Sequence, residues 1–499
     1  MQQTHYEGCD SGNFAFPLFD VPAGTFRDFG GCNTLWAVMN PAANTYNFSG
    51  LDILLGELGT RKINDVFIQL GDTPPWISTN PSDPLCDQAN VNGLPAGMCD
   101  PPADLDAVAG SGLGDGTDLA WRSFVTALLQ HVTAPGYSAA HGHIQIYSIW
   151  DEFHRSDTVG TAICGAPGSG QPACSYRGTF AQMLRMTQDL RCIVEGHASD
   201  PISATHQTCG TANYPATGLD PTAMVMEGDA GGGPIDNANA TMQNYLYCND
   251  SPPAGSQCNY GDAGSAATDI ISGHTYFSHG AEPEDRMVYI SNEMAMLSPA
   301  DHAKPYITGE GGWGKNTNSD GTPSVSDPKL QAAYVVRWYI ELLILGVSRG
   351  YWFAWDEFEP DGAGGLWSPM PITFPPLECT TPDDAIGGYY CSGAIAYKQM
   401  VNWLSGATLA SATCPRTCTN PTRGMFTVSM TRSGGYQAIV AWDSTPVESC
   451  NNPQCGSTPV SKTPFPVAQW RDVAGNTHSG SPATIGASPI IVENMAPPS

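Results

Sequence analysis

The stretch IQIYSIWDEF, residues 144–153, indicates both a fold and a place for chemistry. Its first seven residues are nearly all apolar, which is typical of a strand buried on both faces of a parallel sheet. The run ends at Trp150, and two acids, Asp151 and Glu152, follow it directly. Buried strands usually end in turn residues, so adjacent carboxylates at this strand end predict a functional position.

Similar apolar strands recur along the chain, with amphipathic helices between them. The predicted strands cover 25–30, 65–71, 144–150, 222–228, 269–277, 305–310 and 350–355, and we expect an eighth before residue 20. Helix boundaries carry the usual signals, such as Pro328 after Asp327 and Gly346 after the last helical residue. Repeated strand–helix units predict an α/β fold, a (β/α)₈ TIM barrel, over residues 1–406.

The pattern changes after residue 406. Residues 407–499 contain alternating stretches, such as MFTVSMT (425–431) and YQAIVAWD (436–443), separated by Gly, Pro and Asn turns. Alternation with a period of two is typical of strands that bury one face. We therefore expect a C-terminal antiparallel β-sandwich domain over 407–499.

Charge and hydropathy exclude several classes of partner. The formal net charge of −28 argues against nucleic acids and anionic membranes. The sequence has no apolar run of 18 or more residues, so we expect no membrane span. Its polar start, MQQTHYEGCD, is typical of a mature N-terminus with an added Met. The oligomeric state stays open, with a monomer favoured.

The sixteen cysteines predict a disulfide-bonded protein. Structural zinc sites favour clustered CxxC pairs, which the sequence lacks, whereas disulfides can pin the Gly- and Pro-rich loops found here. Disulfides persist in oxidising compartments, so we expect a secreted protein, extracellular or periplasmic. The predicted pairs are Cys9/Cys32, Cys86/Cys99, Cys164/Cys174, Cys192/Cys209, Cys248/Cys258, Cys379/Cys391, Cys414/Cys418 and Cys450/Cys455.

Side chains suited to catalysis or to sugar contact lie at the predicted strand ends, where the active sites of barrel enzymes are found. Glu152 follows the fourth strand, and Glu310 ends the seventh. The candidates for substrate contact are Arg27 on the second strand, Trp76 after the third, His274 and Tyr276 on the sixth, Trp355 on the eighth, Trp36 and Trp313. Sugar rings stack on exposed aromatic faces, and we expect two of the four Trp side chains to do so while the others join the core.

Two carboxylates that face each other across a barrel mouth suit the cleavage of a glycosidic bond. One carboxylic acid protonates the leaving oxygen, and the other carboxylate attacks the sugar or activates water. The aromatic setting of Trp150 would raise the pKa of Glu152 and keep it protonated. Arg27 and a tyrosine hydroxyl would keep the second carboxylate, Glu310, ionised.

The chain resembles clan A glycoside hydrolases and looks most like glycoside hydrolase family 39 and its bacterial relatives. The resemblance covers roughly residues 24–405 and is carried by GTFRDFGG (24–31), LGDTPPWIS (70–78), YSIWDEF (147–153), GHTYF (273–277), PYITGEGGW (305–313) and RGYWFAWD (349–356). It implies a retaining hydrolase in which Glu152 is the acid/base and Glu310 the nucleophile. The group's His-x-Tyr on the sixth strand matches His274 and Tyr276.

The sequence departs from this resemblance at Asp151. Where the clan has Trp-Asn-Glu-Pro, this chain has Trp150, Asp151, Glu152 and Phe153. The resemblance implies that the Asn hydrogen-bonds the 2-hydroxyl of the substrate, a contact that strengthens in the transition state. An ionised Asp151 could accept but not donate a hydrogen bond, and its charge would raise the pKa of Glu152. Asp151 is therefore a candidate substrate contact with altered properties.

These observations predict a secreted retaining glycoside hydrolase that acts on an oligo- or polysaccharide without cofactor or metal. The HGH stretch (141–143) precedes a strand, and GDGTD (114–118) lacks calcium-loop spacing, so both are expected to be structural. Three alternatives remain: an inverting or transglycosylating enzyme, an inactive carbohydrate-binding protein on the same barrel, and a metal-dependent esterase. The last is disfavoured, because neither a serine nucleophile elbow nor HExxH occurs.

Overall fold

The structure is a computed structural model. It describes residues 2–3, 24–30, 33–86, 96–153, 156, 164, 174–196, 214, 217–229, 238–247, 263–276, 282–312, 328–353, 355, 366–368, 379–382, 388–445, 458–459 and 463–497.

Eight parallel strands follow one another in chain order. The first five, β1 (Gln2–Gln3), β2 (Phe26–Phe29), β3 (Val66–Gln69), β4 (Ile144–Ser148) and β5 (Met224–Met226), form one sheet. The next three, β6 (Ile271–Tyr276), β7 (Tyr306–Gly312) and β8 (Arg349–Trp352), form another. An isolated parallel bridge between Met226 and Ile270 joins the two sheets. The seven predicted strands are thus confirmed to within a few residues, and the eighth is β1.

Side chains from both sheets pack into one interior. Phe67, Ile146, Met226, Ile307 and Tyr351 belong to a single buried cluster that spans β3, β4, β5, β7 and β8. The Phe67 and Tyr351 rings meet edge to face, with centroids 5.6 Å apart. Within the described residues, no hydrogen-bonded ladder joins β8 to β1. The barrel prediction is therefore confirmed in part: the strands are parallel and share an interior, but a closed ring of strands is not seen.

Helices connect the strands and cover their outer faces. They are α1 (Trp36–Met39), α2 (Ser49–Thr60), α3 (Leu119–Val132), α4 (Phe180–Glu195), α5 (Ala238–Tyr247), α6 (Ala263–Ala267), α7 (Pro283–Ala295) and α8 (Pro328–Leu345). Thr179 and Gln182 form a capping box at the start of α4, which satisfies backbone N–H groups that the helix leaves unpaired. Gly346, with φ of 78°, ends α8 in the left-handed conformation that glycine adopts readily.

A C-terminal antiparallel sheet follows α9 (Ser392–Leu404). A small sheet of β9 (Trp367–Ser368), β10 (Cys379–Pro382) and β11 (Tyr389–Cys391) precedes that helix. The remaining strands are β12 (Thr408–Thr413), β13 (Met425–Thr431), β14 (Gln437–Asp443), β15 (Thr458–Pro459), β16 (Gln469–Asp472), β17 (Thr477–Ser479), β18 (Thr484–Ile485) and β19 (Ile490–Glu493). Six of them pair in the order β12-β13-β14-β19-β16-β17, and β15 pairs with β18.

The C-terminal sheet packs one face against the helices of the first part. Phe426 stacks on Trp442, with ring centroids 4.9 Å apart, and both belong to the main core. Trp442 Nε1 donates a 2.8 Å hydrogen bond to Glu284 Oε1 of α7. Among the described residues of 407–499, only the β15–β18 ribbon forms a sheet beyond the six-stranded one. The antiparallel architecture is thus confirmed, whereas the two-sheet sandwich and the boundary at residue 406 stay predictions, because one core runs across that boundary.

Four of the predicted disulfides are confirmed: Cys86–Cys99, Cys164–Cys174, Cys379–Cys391 and Cys414–Cys418. Cys192 is disulfide-bonded as well. The other predicted cysteines, Cys9, Cys32, Cys209, Cys248, Cys258, Cys450 and Cys455, lie outside the described residues. Among the helices described, none combines the length and apolar character required to cross a bilayer.

Candidate active site

The carboxyl ends of six consecutive strands bring charged and polar side chains together. Parallel strands direct these ends to one face of the fold, so residues distant in sequence become neighbours. The residues are Arg27 on β2, Gln69 at the end of β3, Asp151 and Glu152 after β4, Asp229 after β5, His274 and Tyr276 on β6, and Glu310 on β7. The structure thus assembles the six non-tryptophan candidates of the sequence and adds Gln69 and Asp229.

Arg27 is the central cation of this cluster. Its guanidinium is fully buried, lies 2.7 Å from Asp151 Oδ1 and 3.0 Å from Asp229 Oδ2, and also pairs with Glu310 Oε1. Burial alone would lower the pKa of Arg27, but the three carboxylates, Glu310 first, raise it above its ordinary value. Arg27 is therefore a permanent positive charge that three acids share.

Glu310 receives a donor at each carboxylate oxygen. Arg27 Nη1 donates to Oε1, and the Tyr276 hydroxyl donates to Oε2. Burial and the adjoining Glu310 carboxylate raise the pKa of Tyr276 well above its ordinary value, so the phenol keeps the proton that it donates. Glu310 is only 5 % exposed. The carboxylate is therefore held in place and charge-compensated, as a nucleophile requires.

Glu152 and Glu310 both approach the same ring nitrogen of His274. Its backbone has φ of 40°, a left-handed value that is uncommon outside glycine and often marks functional positions. His274 Nδ1 is 2.9 Å from Glu152 Oε1 and 3.6 Å from Glu310 Oε2. These two carboxylate oxygens are therefore at most about 6.5 Å apart, a distance that bears on the type of glycosidic cleavage. The Glu152 side chain is 17 % exposed, so it is accessible from solvent.

His274 and Asp229 form a buried ion pair beneath the two glutamates. His274 Nε2 lies 3.3 Å from Asp229 Oδ2, and both side chains are fully buried. Burial lowers the pKa of His274, but Glu310 and Asp229 outweigh it and raise that pKa well above its ordinary value. Burial raises the pKa of Asp229, but His274 and Arg27 outweigh it and lower that pKa. At neutral pH the pair is therefore an imidazolium and a carboxylate.

Asp151, at the position where the sequence departs from the clan pattern, contacts the site through Arg27. Only its Oδ1 has a hydrogen bond among the described residues, the one from Arg27 Nη2. Burial, followed by repulsion from Glu310, raises the pKa of Asp151 to about 8, although Arg27 and His274 oppose the rise. At neutral pH this side chain is therefore mostly a neutral carboxylic acid.

The four candidate tryptophans, of which two were expected to contact sugar, differ in placement. Trp36 is fully buried and packs against other core rings, with its centroid 5.1 Å from that of Trp121, so it has no face for a sugar. Trp355 is also fully buried, beside Tyr390 at 6.2 Å. Core packing covers both rings, so Trp36 and Trp355 are not available as substrate contacts and belong to the tryptophans expected to join the core. Trp76 keeps part of its surface exposed and donates to the Asn40 carbonyl at 2.8 Å, and Trp313 lies outside the described residues.

Asp229 and Gln69 were missed by the sequence analysis. Asp229 stands three residues after β5 in MEGDAGG (226–232), and an acid after a buried strand was the available signal. A Cβ on Gly309 would come within 2.5 Å of the Asp229 carboxylate, so Gly309 makes room for this acid next to Glu310. Gln69 accepts from Arg27 and donates to the Trp150 carbonyl, which ties the β4 loop to the site.

A cation site could be considered at this cluster, because Asp151, His274 and Glu310 bring ligand atoms within 4.8 Å of one another. Arg27, however, already pairs with both of these acids. The protonated His274 would also have to lose its proton before it could bind a metal. The acids of this cluster are therefore already paired with cationic side chains of the protein itself, Arg27 and His274. The arrangement suits proton transfer and nucleophilic attack by carboxylates.

Comparisons with known proteins agree with the resemblance seen in the sequence. No protein-family model matches the chain, and no curated protein does. Its fold is similar to that of a family 39 glycoside hydrolase from Bacteroides cellulosilyticus, with 15 % identity, coverage of 94 % of this chain and 74 % of that chain, and a TM-score of 0.52. A family 51 arabinofuranosidase from Xanthomonas axonopodis pv. citri matches at 9 % identity, 95 % and 87 % coverage, and a TM-score of 0.45. The family 39 match confirms the resemblance at the level of the fold.

Proposed function

We propose that the protein is a secreted retaining glycoside hydrolase that cleaves an oligo- or polysaccharide. The observation that carries this proposal is the pair Glu152 and Glu310, of which Oε1 and Oε2, respectively, both contact His274 Nδ1 and therefore lie within about 6.5 Å of each other. Retaining enzymes hold their two carboxyl groups roughly 5–5.5 Å apart, and inverting enzymes roughly 6.5–9.5 Å apart. The limit on this pair of oxygens is compatible with the retaining spacing, and the resemblance to clan A, whose members are retaining enzymes, favours the retaining class.

In the first step, a Glu310 oxygen attacks the anomeric carbon and forms a glycosyl ester as the bond to the leaving oxygen breaks. Glu152 transfers its proton to that leaving oxygen. Arg27 and Tyr276 hold Glu310 in position, and their donors compensate its charge until it attacks. His274, as imidazolium, donates to Glu152 Oε1 and so orients this carboxyl group.

In the second step, water enters where the leaving group departed. Glu152, now a carboxylate, removes a proton from this water, and the water oxygen attacks the anomeric carbon. The ester bond to Glu310 breaks, and the sugar leaves with its original anomeric configuration. His274 and Arg27 remain charged throughout, so the carboxylates alone change their protonation and bonding.

The charge around the site favours a neutral sugar at the cleavage position. Among the described residues, the two cations of the cluster, Arg27 and His274, are each paired with acids of the same cluster. A uronic acid would have to compete with those internal carboxylates for a cation. Secretion is proposed from the four disulfides described, because such bonds persist in oxidising compartments.

The test is sugar release from a panel of neutral and acidic polysaccharides and aryl glycosides, with products identified by mass. Wild type, Glu310→Gln and Glu341→Gln are compared. Glu341 is a buried glutamate on α8 outside the cluster, so its variant controls for the loss of a buried carboxyl. Release that is lost only in Glu310→Gln supports the proposal, and release that survives there contradicts the assigned nucleophile.

Two alternatives predict other outcomes of the same experiment. An inverting enzyme would release a first product of opposite anomeric configuration, which proton NMR detects before the anomers equilibrate. A carbohydrate-binding protein without catalysis would show no release in the wild type, together with glycan binding that Glu310→Gln leaves unchanged.

A further inference from the structure

Glu152 occupies a strained backbone position between two buried aromatic side chains. Its φ of 40° is a left-handed value, and such conformations persist only where the surrounding structure imposes them. Phe153, on one side, is fully buried, with its ring centroid 6.4 Å from that of Phe180 and 5.9 Å from that of Tyr245. Trp150, on the other side, is 1 % exposed. The conformation of Glu152 therefore depends on what holds these two rings in place.

Trp150 is held by its side chain as well as by its backbone. Its carbonyl accepts a 3.0 Å hydrogen bond from the backbone N–H of Asp229 and another from Gln69 Nε2. Its indole Nε1 donates a 2.6 Å hydrogen bond to the carbonyl of Ser175, 25 residues further along the chain. The Trp150 ring also meets the Tyr176 ring edge to face, with centroids 5.0 Å apart. Ser175 and Tyr176 therefore fix the position of the indole.

The segment 174–177, which supplies these contacts, begins with a disulfide-bonded residue. Cys174 is fully buried and is bonded to Cys164, with the two Cα atoms 4.9 Å apart. A disulfide permits only a narrow range of separations between the residues that it joins. Because Ser175 follows Cys174 directly, the disulfide restrains the carbonyl that accepts from Trp150.

A second disulfide supports the same segment from the loop that follows β3. Cys86 and Cys99 are bonded to each other and pack with the first disulfide in one buried cluster. The backbone N–H of Cys174 donates to the Leu85 carbonyl at 2.9 Å, and that of Arg177 donates to the Cys99 carbonyl at 2.8 Å. The segment that holds Trp150 is thus attached at both ends to the neighbouring loop.

We propose that the disulfide Cys164–Cys174 is a positioning element for the general acid/base. It fixes the Ser175 carbonyl, which holds the Trp150 indole, and Trp150 in turn holds the backbone of Glu152 in its left-handed conformation. This inference rests on the proposed function for the role of Glu152. Loss of the disulfide should therefore weaken proton transfer to the leaving oxygen.

Nucleophilic attack by Glu310 should depend less on this disulfide. The donors to the Glu310 carboxylate, Arg27 and Tyr276, lie on β2 and β6, whereas Trp150 and the disulfide follow β4. Two glycosides of the released sugar separate attack from proton transfer. A phenyl glycoside needs a proton on its leaving oxygen, whereas a dinitrophenyl glycoside has an acidic leaving group that departs without one.

The first experiment measures kcat/KM on both glycosides for wild type, the double variant Cys164→Ala, Cys174→Ala, and Trp150→Phe. We expect both variants to lose about 10- to 100-fold on the phenyl glycoside and less than about threefold on the dinitrophenyl glycoside. Trp150→Phe keeps the disulfide and an aromatic ring but lacks the indole N–H, so it tests the same link should the cysteine variant fail to fold.

The matched control is the double variant Cys414→Ala, Cys418→Ala, which removes a disulfide between β12 and β13 of the C-terminal sheet. It should retain the wild-type kcat/KM on both glycosides. Equal losses on the two glycosides in the site variants would indicate general damage and overturn the proposal. An unchanged kcat/KM on the phenyl glycoside would overturn it as well.

A variant that combines the two cysteine substitutions with Trp150→Phe tests whether they act through one link. If both act through the hydrogen bond between Trp150 and Ser175, the combined loss on the phenyl glycoside should not exceed that of the more damaging variant. A combined loss equal to the product of the separate losses would show that the disulfide and Trp150 act independently, contrary to the proposal.

The second experiment follows the Trp150 indole N–H without substrate. Its NMR signal is identified by its absence in Trp150→Phe, and its exchange with deuterium is compared between wild type and the Cys164→Ala, Cys174→Ala variant. We expect exchange at least about tenfold faster without the disulfide, because the group is buried and hydrogen-bonded in wild type. Unchanged exchange would overturn the proposed link. A wild type without turnover on any glycoside would contradict the proposed function, and the exchange comparison would still decide whether the disulfide holds Trp150.

Discussion

Replacement of Arg27 by methionine tests the electrostatic organisation of the site. The substitution keeps an unbranched side chain but removes the charge that pairs with Asp151, Asp229 and Glu310. Removal of one partner from a buried ion pair destabilises a protein by about 3–5 kcal/mol. That is a large share of the roughly 5–15 kcal/mol that stabilises a typical domain. We therefore expect Arg27→Met to fold only marginally at pH 8.

The decrease in unfolding free energy caused by Arg27→Met should depend on pH. In wild type, burial raises the pKa of Asp229, but His274 and Arg27 outweigh it and lower that pKa. The stabilisation contributed by ionised Asp229 is therefore present above the ordinary Asp pKa and is lost as pH falls through the lower folded pKa. Without Arg27, His274 alone opposes burial, so the pKa of Asp229 is lowered less and less of this stabilisation remains. Because this contribution shrinks in both proteins below the ordinary Asp pKa, the difference in unfolding free energy between them should be larger at pH 8 than at pH 3.

The assay is equilibrium denaturation by urea at both pH values, together with kcat/KM per folded molecule. Arg337→Met is the matched control, because Arg337 is equally buried and pairs with Glu282 and Glu284 away from the site. We expect both variants to lose stability. Only Arg27→Met should also lose activity, by about 100- to 1,000-fold, because its guanidinium compensates and positions Glu310. A stability loss under 1 kcal/mol, or unchanged kcat/KM, for Arg27→Met would refute this reasoning.

Three further changes probe separate parts of the molecule. Tyr276→Phe removes the hydroxyl that donates to Glu310. It should lower kcat by about 10- to 100-fold with little change in unfolding free energy. An unchanged kcat would show that the hydroxyl does not assist the nucleophile. Trp442→Phe removes one hydrogen-bond donor to the buried Glu284. It should lower the unfolding free energy, measured by urea denaturation, by about 1–3 kcal/mol. An unchanged unfolding free energy would mean that this hydrogen bond does not stabilise the packing of the C-terminal sheet. Reduction of the disulfides should lower the unfolding free energy by about 2–4 kcal/mol per bond opened, and an unchanged melting temperature in reductant would contradict this.

The strand ends of the site were predictable because two signals coincide there. Apolar runs identify buried parallel strands, and polar residues at or directly after the carboxyl ends of such runs have few structural reasons to be there. Glu152 follows its strand, whereas His274, Tyr276 and Glu310 lie in the carboxyl-terminal halves of theirs. The structure brings all four together. Arg27 was found in the same way, as a charge within an otherwise buried strand.

The tryptophans show a property of the site that the sequence does not reveal. A sequence reveals an aromatic side chain but not which of its faces the neighbouring elements cover. Trp36 is buried because it begins α1 and packs against Trp121 and Phe124 of α3, a contact between segments some 85 residues apart. Asp229 was not identified from the sequence for a similar reason, because its partners Arg27 and His274 are distant in sequence.

The most direct test of the central claim is to trap the sugar on the enzyme. A 2-fluoro glycoside with an acidic leaving group forms the glycosyl ester quickly and hydrolyses it slowly, so the adduct accumulates. Mass spectrometry of the intact protein and its peptides then locates the sugar. We predict one glycosyl unit per molecule, on the peptide that contains Glu310, and none in Glu310→Gln. Attachment to any other residue, or inverted product without an adduct, would contradict the account.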